Sequence, residues 1–293
     1  MKIYYAIILL LFSLASCGSK KNRANSPVSS RDTITGPFNY NLNVPERYFM
    51  PDQLHEISGI AFSHGEPDTL YAEQDEQGRL FHFKPGSNDM VVCKFAKKGD
   101  YEDIAISNGI VIILRSDGIL FTFPLSEANL PAAVNVQQWE NLLPGGEFEG
   151  MWADEKTGKL YILCKHCTDD KTSKVSSGTI LQISPDGKIS PAGNFSLNVK
   201  EIERLAESGK ISFHPSGIAK NPVTGEWYII SAVNKMLVIA DEAWQPKAVY
   251  PLNLSLFNQP EGIAFDKTGN LFISNEGGDI GSGTVLKFAY HGK

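Results

Sequence analysis

The sequence predicts an all-β fold, a five-bladed β-propeller with a sixth blade as the alternative, and three observations carry this. A tetrad of the Glu-Gly-Ile-Ala type recurs as Ser58-Gly59-Ile60-Ala61, Glu102-Asp103-Ile104-Ala105, Glu149-Gly150-Met151-Trp152, Ser216-Gly217-Ile218-Ala219 and Glu261-Gly262-Ile263-Ala264. The lead residues stand 44, 47, 67 and 45 positions apart, and a period in the mid-forties suits a blade of four short strands. Each tetrad also opens a short apolar run that a polar, glycine-bearing turn then closes.

In chain order, Lys2 and the apolar stretch Ile3 to Leu14 read as a signal peptide over residues 1–16, too short to span a bilayer as a helix. Leu14-Ala15-Ser16-Cys17-Gly18 resembles the lipobox of bacterial lipoproteins, which makes Cys17 the lipidated first residue after cleavage. The plain alternative is a secretory peptide cut at small residues. Residues 17–36 are polar and read as a flexible tether, leaving 37–293 for the propeller. Acyl chains on Cys17 would anchor the protein to a membrane, expected to be the outer membrane with the propeller facing the periplasm.

Within the propeller, Asp154 to Gly158 is a turn before the strand Leu160 to Leu163, and Asn221 to Gly225 is its counterpart before Trp227 to Ile230. Asp186-Gly187 marks a hairpin after Ile180 to Ile183. The long interval holds polar Thr168 to Ser177 and a charged stretch, Lys200 to Lys210, expected as a short helix. The last unit is the clearest, with strands Gly262 to Phe265, Leu271 to Ser274 and Thr284 to Phe288. Since the chain runs out soon after, Phe38 to Leu42 is the candidate for that blade's outer strand, which would remove the exposed sheet edge.

The net charge of −6 excludes a nucleic-acid binder built on a basic surface. Among the cysteines after Cys17, Cys164-Lys165-His166-Cys167 has redox or metal spacing, but no haem motif follows and no second ligand pair completes a zinc site. One buried and one exposed thiol, or a local disulfide, both remain open.

The first strand of each propeller blade lines the central channel, so the lead column gathers Glu102, Glu149 and Glu261, with Asp103 beside one of them. Glu56, His214 and Asn275 fall at the channel rim by repeat position. Carboxylates brought together on one axis repel each other, and burial raises their pKa values. A bound cation relieves both effects. An all-oxygen donor set with loose spacing suits Ca²⁺ better than Mg²⁺. A water-filled polar channel is the alternative, and a loop role for His214 is the plain alternative to a general base.

The runs Glu56 to Ala61, Tyr101 to Ala105, Phe148 to Met151 and Gln259 to Ala264 resemble the repeats of the SdiA-regulated (YjiK-like) family, distantly similar to NHL-repeat propellers. The resemblance covers residues 38–290. It implies five blades and a calcium site, with Glu102, Asp103, Glu149 and Glu261 as the ligand candidates. Two functions follow as expectations. One is a membrane-tethered, calcium-binding propeller that binds a small-molecule or protein ligand, monomeric and without nucleic acid. The other is a metal-dependent hydrolase of the lactonase or phosphoesterase kind, with Glu149 or His214 as base.

Overall fold

The computed structural model describes residues 36–37, 39–87, 89–167, 170, 174–184, 186–278 and 281–292. The signal peptide, Cys17 and nearly all of the tether lie outside the described residues, as does Phe38. The strands form five four-stranded antiparallel sheets. Blade 1 comprises β2 (Ile57–Phe62), β3 (Leu70–Gln74), β4 (Gln77–Phe83) and β5 (Met90–Lys94). Blade 2 comprises β6 (Tyr101–Ser107), β7 (Ile110–Arg115), β8 (Leu120–Pro124) and β9 (Gln137–Trp139). Blade 3 comprises β10 (Gly146–Asp154), β11 (Lys159–Cys167), β12 (Val175–Ile183) and β13 (Ile189–Asn198). Blade 4 comprises β14 (Gly217–Lys220), β15 (Trp227–Ser231), β16 (Met236–Ala240) and β17 (Pro246–Pro251). Blade 5 comprises β18 (Pro260–Phe265), β19 (Leu271–Asn275) and β20 (Thr284–Phe288), completed on its outside by β1 (Glu46–Phe49).

Five blades, not six, are therefore present. The long interval is used up by strands of nine and ten residues in blade 3 and by helix α1 (Val199–Leu205). The Asn198 side chain caps that helix, accepting from the Lys200 and Glu201 N–H groups.

The ring closes where expected but with a different segment. The fourth strand of blade 5 is Glu46–Phe49, in register Glu46 to Lys287 through Phe49 to Thr284, and not Phe38 to Leu42. Tyr40 and Leu42 are instead buried between blades 4 and 5. The Tyr40 hydroxyl donates to the Gly269 carbonyl at 2.6 Å and accepts from Asn221 at 2.9 Å. A side chain that needs this burial on all sides cannot also serve an edge strand, whose outer face meets water.

The core is divided in the same way as the chain. Each adjacent pair of blades encloses one cluster of buried apolar side chains, five in all. Between blades 3 and 4, Trp227 and Phe195 stack on either side of Trp244, with ring centroids at 4.1 and 3.8 Å. Burial of such faces at roughly 25 cal/mol per Å² is the main term holding blade to blade.

Candidate functional site: the acidic mouth of the channel

The tetrads form a girdle around the channel. The ladder between the first and second strands slips at the tetrad in four blades, between Ile57 and Ile60, Tyr101 and Asp103, Phe148 and Met151, and Pro260 and Ile263. Such bulges turn the lead residue out of the sheet. The glycine beside it permits contact with the next blade. A Cβ on Gly217 would stand 2.5 Å from the Glu261 carbonyl oxygen, and one on Gly262 2.5 Å from that of Ser58.

Short side chains stitch the girdle together. Ser58 donates to the Glu102 carbonyl at 2.8 Å, Ser216 to that of Pro260 at 2.7 Å, and Ser274 to that of Ser58 at 2.5 Å. This accounts for the two serines in the otherwise acidic lead column. Asp103 belongs to the same set. Its two oxygens accept from the N–H groups of Ile104 at 2.8 Å and Met151 at 2.6 Å, which joins blade 2 to blade 3. Burial holds its pKa well above the usual carboxylate range against those two bonds. Beside it, Glu73 is fully buried and accepts from the Gly59 N–H at 2.7 Å, while its Oε2 has no partner. Burial likewise holds Glu73 far above the usual range.

Above this girdle the lead glutamates converge. Glu102 is pushed up to about 8, chiefly by burial and then by Asp100, with Lys165 pulling the other way. Glu261 is pushed up to about 7 by burial, opposed by Lys165, a Gln259 hydrogen bond and Lys235. Glu276 reaches about 8 through burial and the fields of Glu261, Asp75, Glu56 and Glu102. Asp75 reaches about 6 through burial and then Glu56. Glu149 is buried and carries the ammonium of Lys165. The structure thus brings Glu102, Glu149 and Glu261 to one mouth, adds Asp75, Glu276 and Lys165 to them, and sets Asp103 below in the girdle.

Among the rim residues, Glu56 contributes its field to Asp75 and Glu276. His214 rests against His166 with ring centroids at 4.4 Å. Asn275 ends β19 beside Glu276, buried, with neither amide atom hydrogen-bonded. A cavity of about 340 Å³ lies alongside, bordered by Glu149, Lys165, His214, Lys235, Gln259 and Glu261. Sequence reasoning missed Glu73 and Lys165. A charged residue inside the apolar strand Leu70–Gln74 signals the first. The second is hidden by a bulge that no periodicity shows.

The Cys-x-x-Cys motif is a disulfide between Cys164 and Cys167, while Cys93 is a buried free thiol. Among the described residues, Cys164, Cys167 and Asp170 are the one trio of metal-ligating types whose ligand atoms lie within 4.8 Å of one another. The trio could hold a metal, but only after reduction, because a metal is ligated by thiolate and a disulfide has none. No three acids of the mouth meet that limit among the described residues.

No curated protein matches the chain. Among solved structures, a glutaminyl cyclase of Myxococcus xanthus shares 16% identity at a TM-score of 0.54, over 84% of this chain and 94% of that one. A luciferin-regenerating enzyme shares 13% at 0.53, over 85% and 96%. A regucalcin of Agrobacterium tumefaciens, described as a calcium-binding protein, shares 14% at 0.52, over 84% and 95%. At such identities the likeness is one of fold, and it spans cyclase, regenerating enzyme and calcium binder alike. The profile of the SdiA-regulated family matches residues 37–278; spanning all five tetrads of this propeller, that match shows that the chain belongs to the SdiA-regulated family.

Proposed function

We propose that the protein is a membrane-tethered propeller whose acidic mouth binds Ca²⁺ and presents a ligand-binding face around it. The observation that carries this is the gathering of Glu102, Glu261, Glu276 and Asp75 at one mouth, each with its pKa raised by burial and by neighbouring carboxylates. The donor set fits a hard cation, since it consists of carboxylate oxygens with a buried, unpartnered Asn275 amide and an unpartnered Asp75 Oδ1 at the same end of the blades. Glu102, Glu149, Glu261, Glu276 and Asp75 are the proposed ligands. Asp103 supports them from below.

Calcium would add positive charge beyond that of Lys165 and Lys235, which leaves the acids of the mouth in excess. Binding to the folded state alone stabilises it by about 2.7 kcal/mol at a hundredfold excess over Kd. For a domain of this size that raises Tm by roughly 5–10 °C. Thermal unfolding of the tether-free domain should therefore shift upward with Ca²⁺ and downward with chelator. Glu261→Gln should remove most of the shift, whereas Glu66→Gln, in an exposed pair with Lys267, should leave it intact. A curve indifferent to both calcium and chelator would refute the proposal. The cavity beside Glu149 and His214 favours the metal-dependent hydrolase as the second reading, which requires turnover of a lactone or phosphoester that chelation stops.

A further inference from the structure

Lys165 is the residue through which the disulfide meets the acidic mouth. In the ladder between β10 and β11, Gly146 faces Cys167, Glu147 faces His166 and Phe148 faces Cys164, so Lys165 faces nothing and forms a bulge. A bulge re-aims a side chain, and this one places the Lys165 ammonium on Glu149. Its field is also the largest influence lowering the pKa of Glu261, and it lowers that of Glu102.

The disulfide brackets this bulge. In a regular strand, residues three apart are separated by roughly 10 Å and point to opposite faces. Cys164 and Cys167 have their Cα atoms 5.9 Å apart, which an extended strand cannot reach. The covalent bond therefore requires the chain to be folded up at Lys165 and His166. Cys164 is buried and Cys167 is half-buried at the wall of a second cavity, so Cys167 is the sulfur that an incoming thiol can approach.

We propose that the Cys164–Cys167 disulfide is a redox latch that holds Lys165 on the carboxylates as an internal counter-cation, weakening divalent-cation binding until the disulfide is reduced. This rests on the cation reading of the mouth given above. In the reductive step the thiolate of a dithiol reductant attacks Cys167 Sγ. The S–S bond breaks, Cys164 leaves as a thiolate and takes up a proton, and the second reductant thiol closes on the mixed disulfide to release Cys167. The reductant is oxidised by two electrons and the protein gains two thiols. Without the link, β11 can relax toward an unbulged register, and the lysine is no longer aimed at Glu149.

The test is Ca²⁺ titration calorimetry on the folded, tether-free domain, oxidised and reduced, for wild type and for Lys165→Met. Thiol labelling confirms the redox state and circular dichroism the fold. Reduction of the wild type should tighten Ca²⁺ binding at least threefold. Lys165→Met should tighten it by a similar factor while still oxidised, and should then no longer respond to reduction. Calcium binding that is equal in oxidised wild type and Lys165→Met overturns the latch alone, as does a redox response that survives in Lys165→Met. Absence of calcium binding in every form, Lys165→Met included, overturns the cation reading and the latch with it.

Discussion

Buried carboxyls at the mouth make the stability of the metal-free protein pH-dependent, with a sign fixed by the direction of their shifts. Glu102, Glu261 and Glu276 have folded-state values near 8, 7 and 8 against an ordinary 4.5. Below about pH 4.5 both folded and unfolded states hold the proton, so these groups do not favour unfolding. As pH rises toward 8, unfolding releases the proton into water, and stability is lost across that window. Solvent screening at an open mouth makes the loss only a fraction of what the unscreened shifts would give. Urea denaturation in chelator should show the loss between pH 5 and pH 8.5, Glu261→Gln should shrink it, and saturating Ca²⁺ should abolish it. A metal-free domain that gains stability over this range contradicts the assignment of these groups.

At the scale of elements, the bulged tetrad does two jobs, and its residues divide between them. The lead glutamates reach the mouth, while the glycines, serines and Asp103 hold neighbouring first strands against each other. The glycines are tightly constrained by that contact. At Gly262 a new Cβ would lie 2.5 Å from both the Ser274 hydroxyl and the Ser58 carbonyl oxygen. Gly262→Ala should therefore cost about 1–3 kcal/mol, the usual penalty for overpacking. Gly145→Ala, with nothing within 4 Å of the added carbon, should stay within about 0.5 kcal/mol of wild type. Urea midpoints at an unchanged m-value measure both. Equal midpoints would show that the blades do not meet at the girdle.

For the whole molecule, closure of the ring and the proposed lipid anchor draw on different parts of the N-terminal sequence. Strand β1 pairs with β20 and brings the start of the propeller to its last blade, so no blade is left with three strands. Ahead of it, Cys17 follows an apolar stretch of signal-peptide length, and we propose that it carries the lipid anchor. Mass spectrometry of the membrane fraction should find an acylated cysteine at the mature N-terminus. Cys17→Ala should move the protein out of that fraction or leave it unprocessed. Soluble wild type cleaved elsewhere would argue for an ordinary secretory peptide.

Sequence alone determined the all-β class, the tetrads, the acidic lead column and the helix in the long interval, because each depends on local residue type at a repeating interval. It left the blade count between five and six, since a 67-residue interval can hold either an extra blade or long strands, and only strand pairing distinguishes them. It placed the closing strand a few residues early, at Phe38 to Leu42, because Tyr40 and Leu42 are apolar whether they line a sheet or plug the space between two blades. Asp103, beside the column, reads from sequence as one more ligand candidate, and only the neighbouring Met151 N–H shows where its oxygens go. Lys165 could not be found at all from spacing. A bulge changes which way a side chain points without changing its position in the sequence, so its place on Glu149 was decided by tertiary structure.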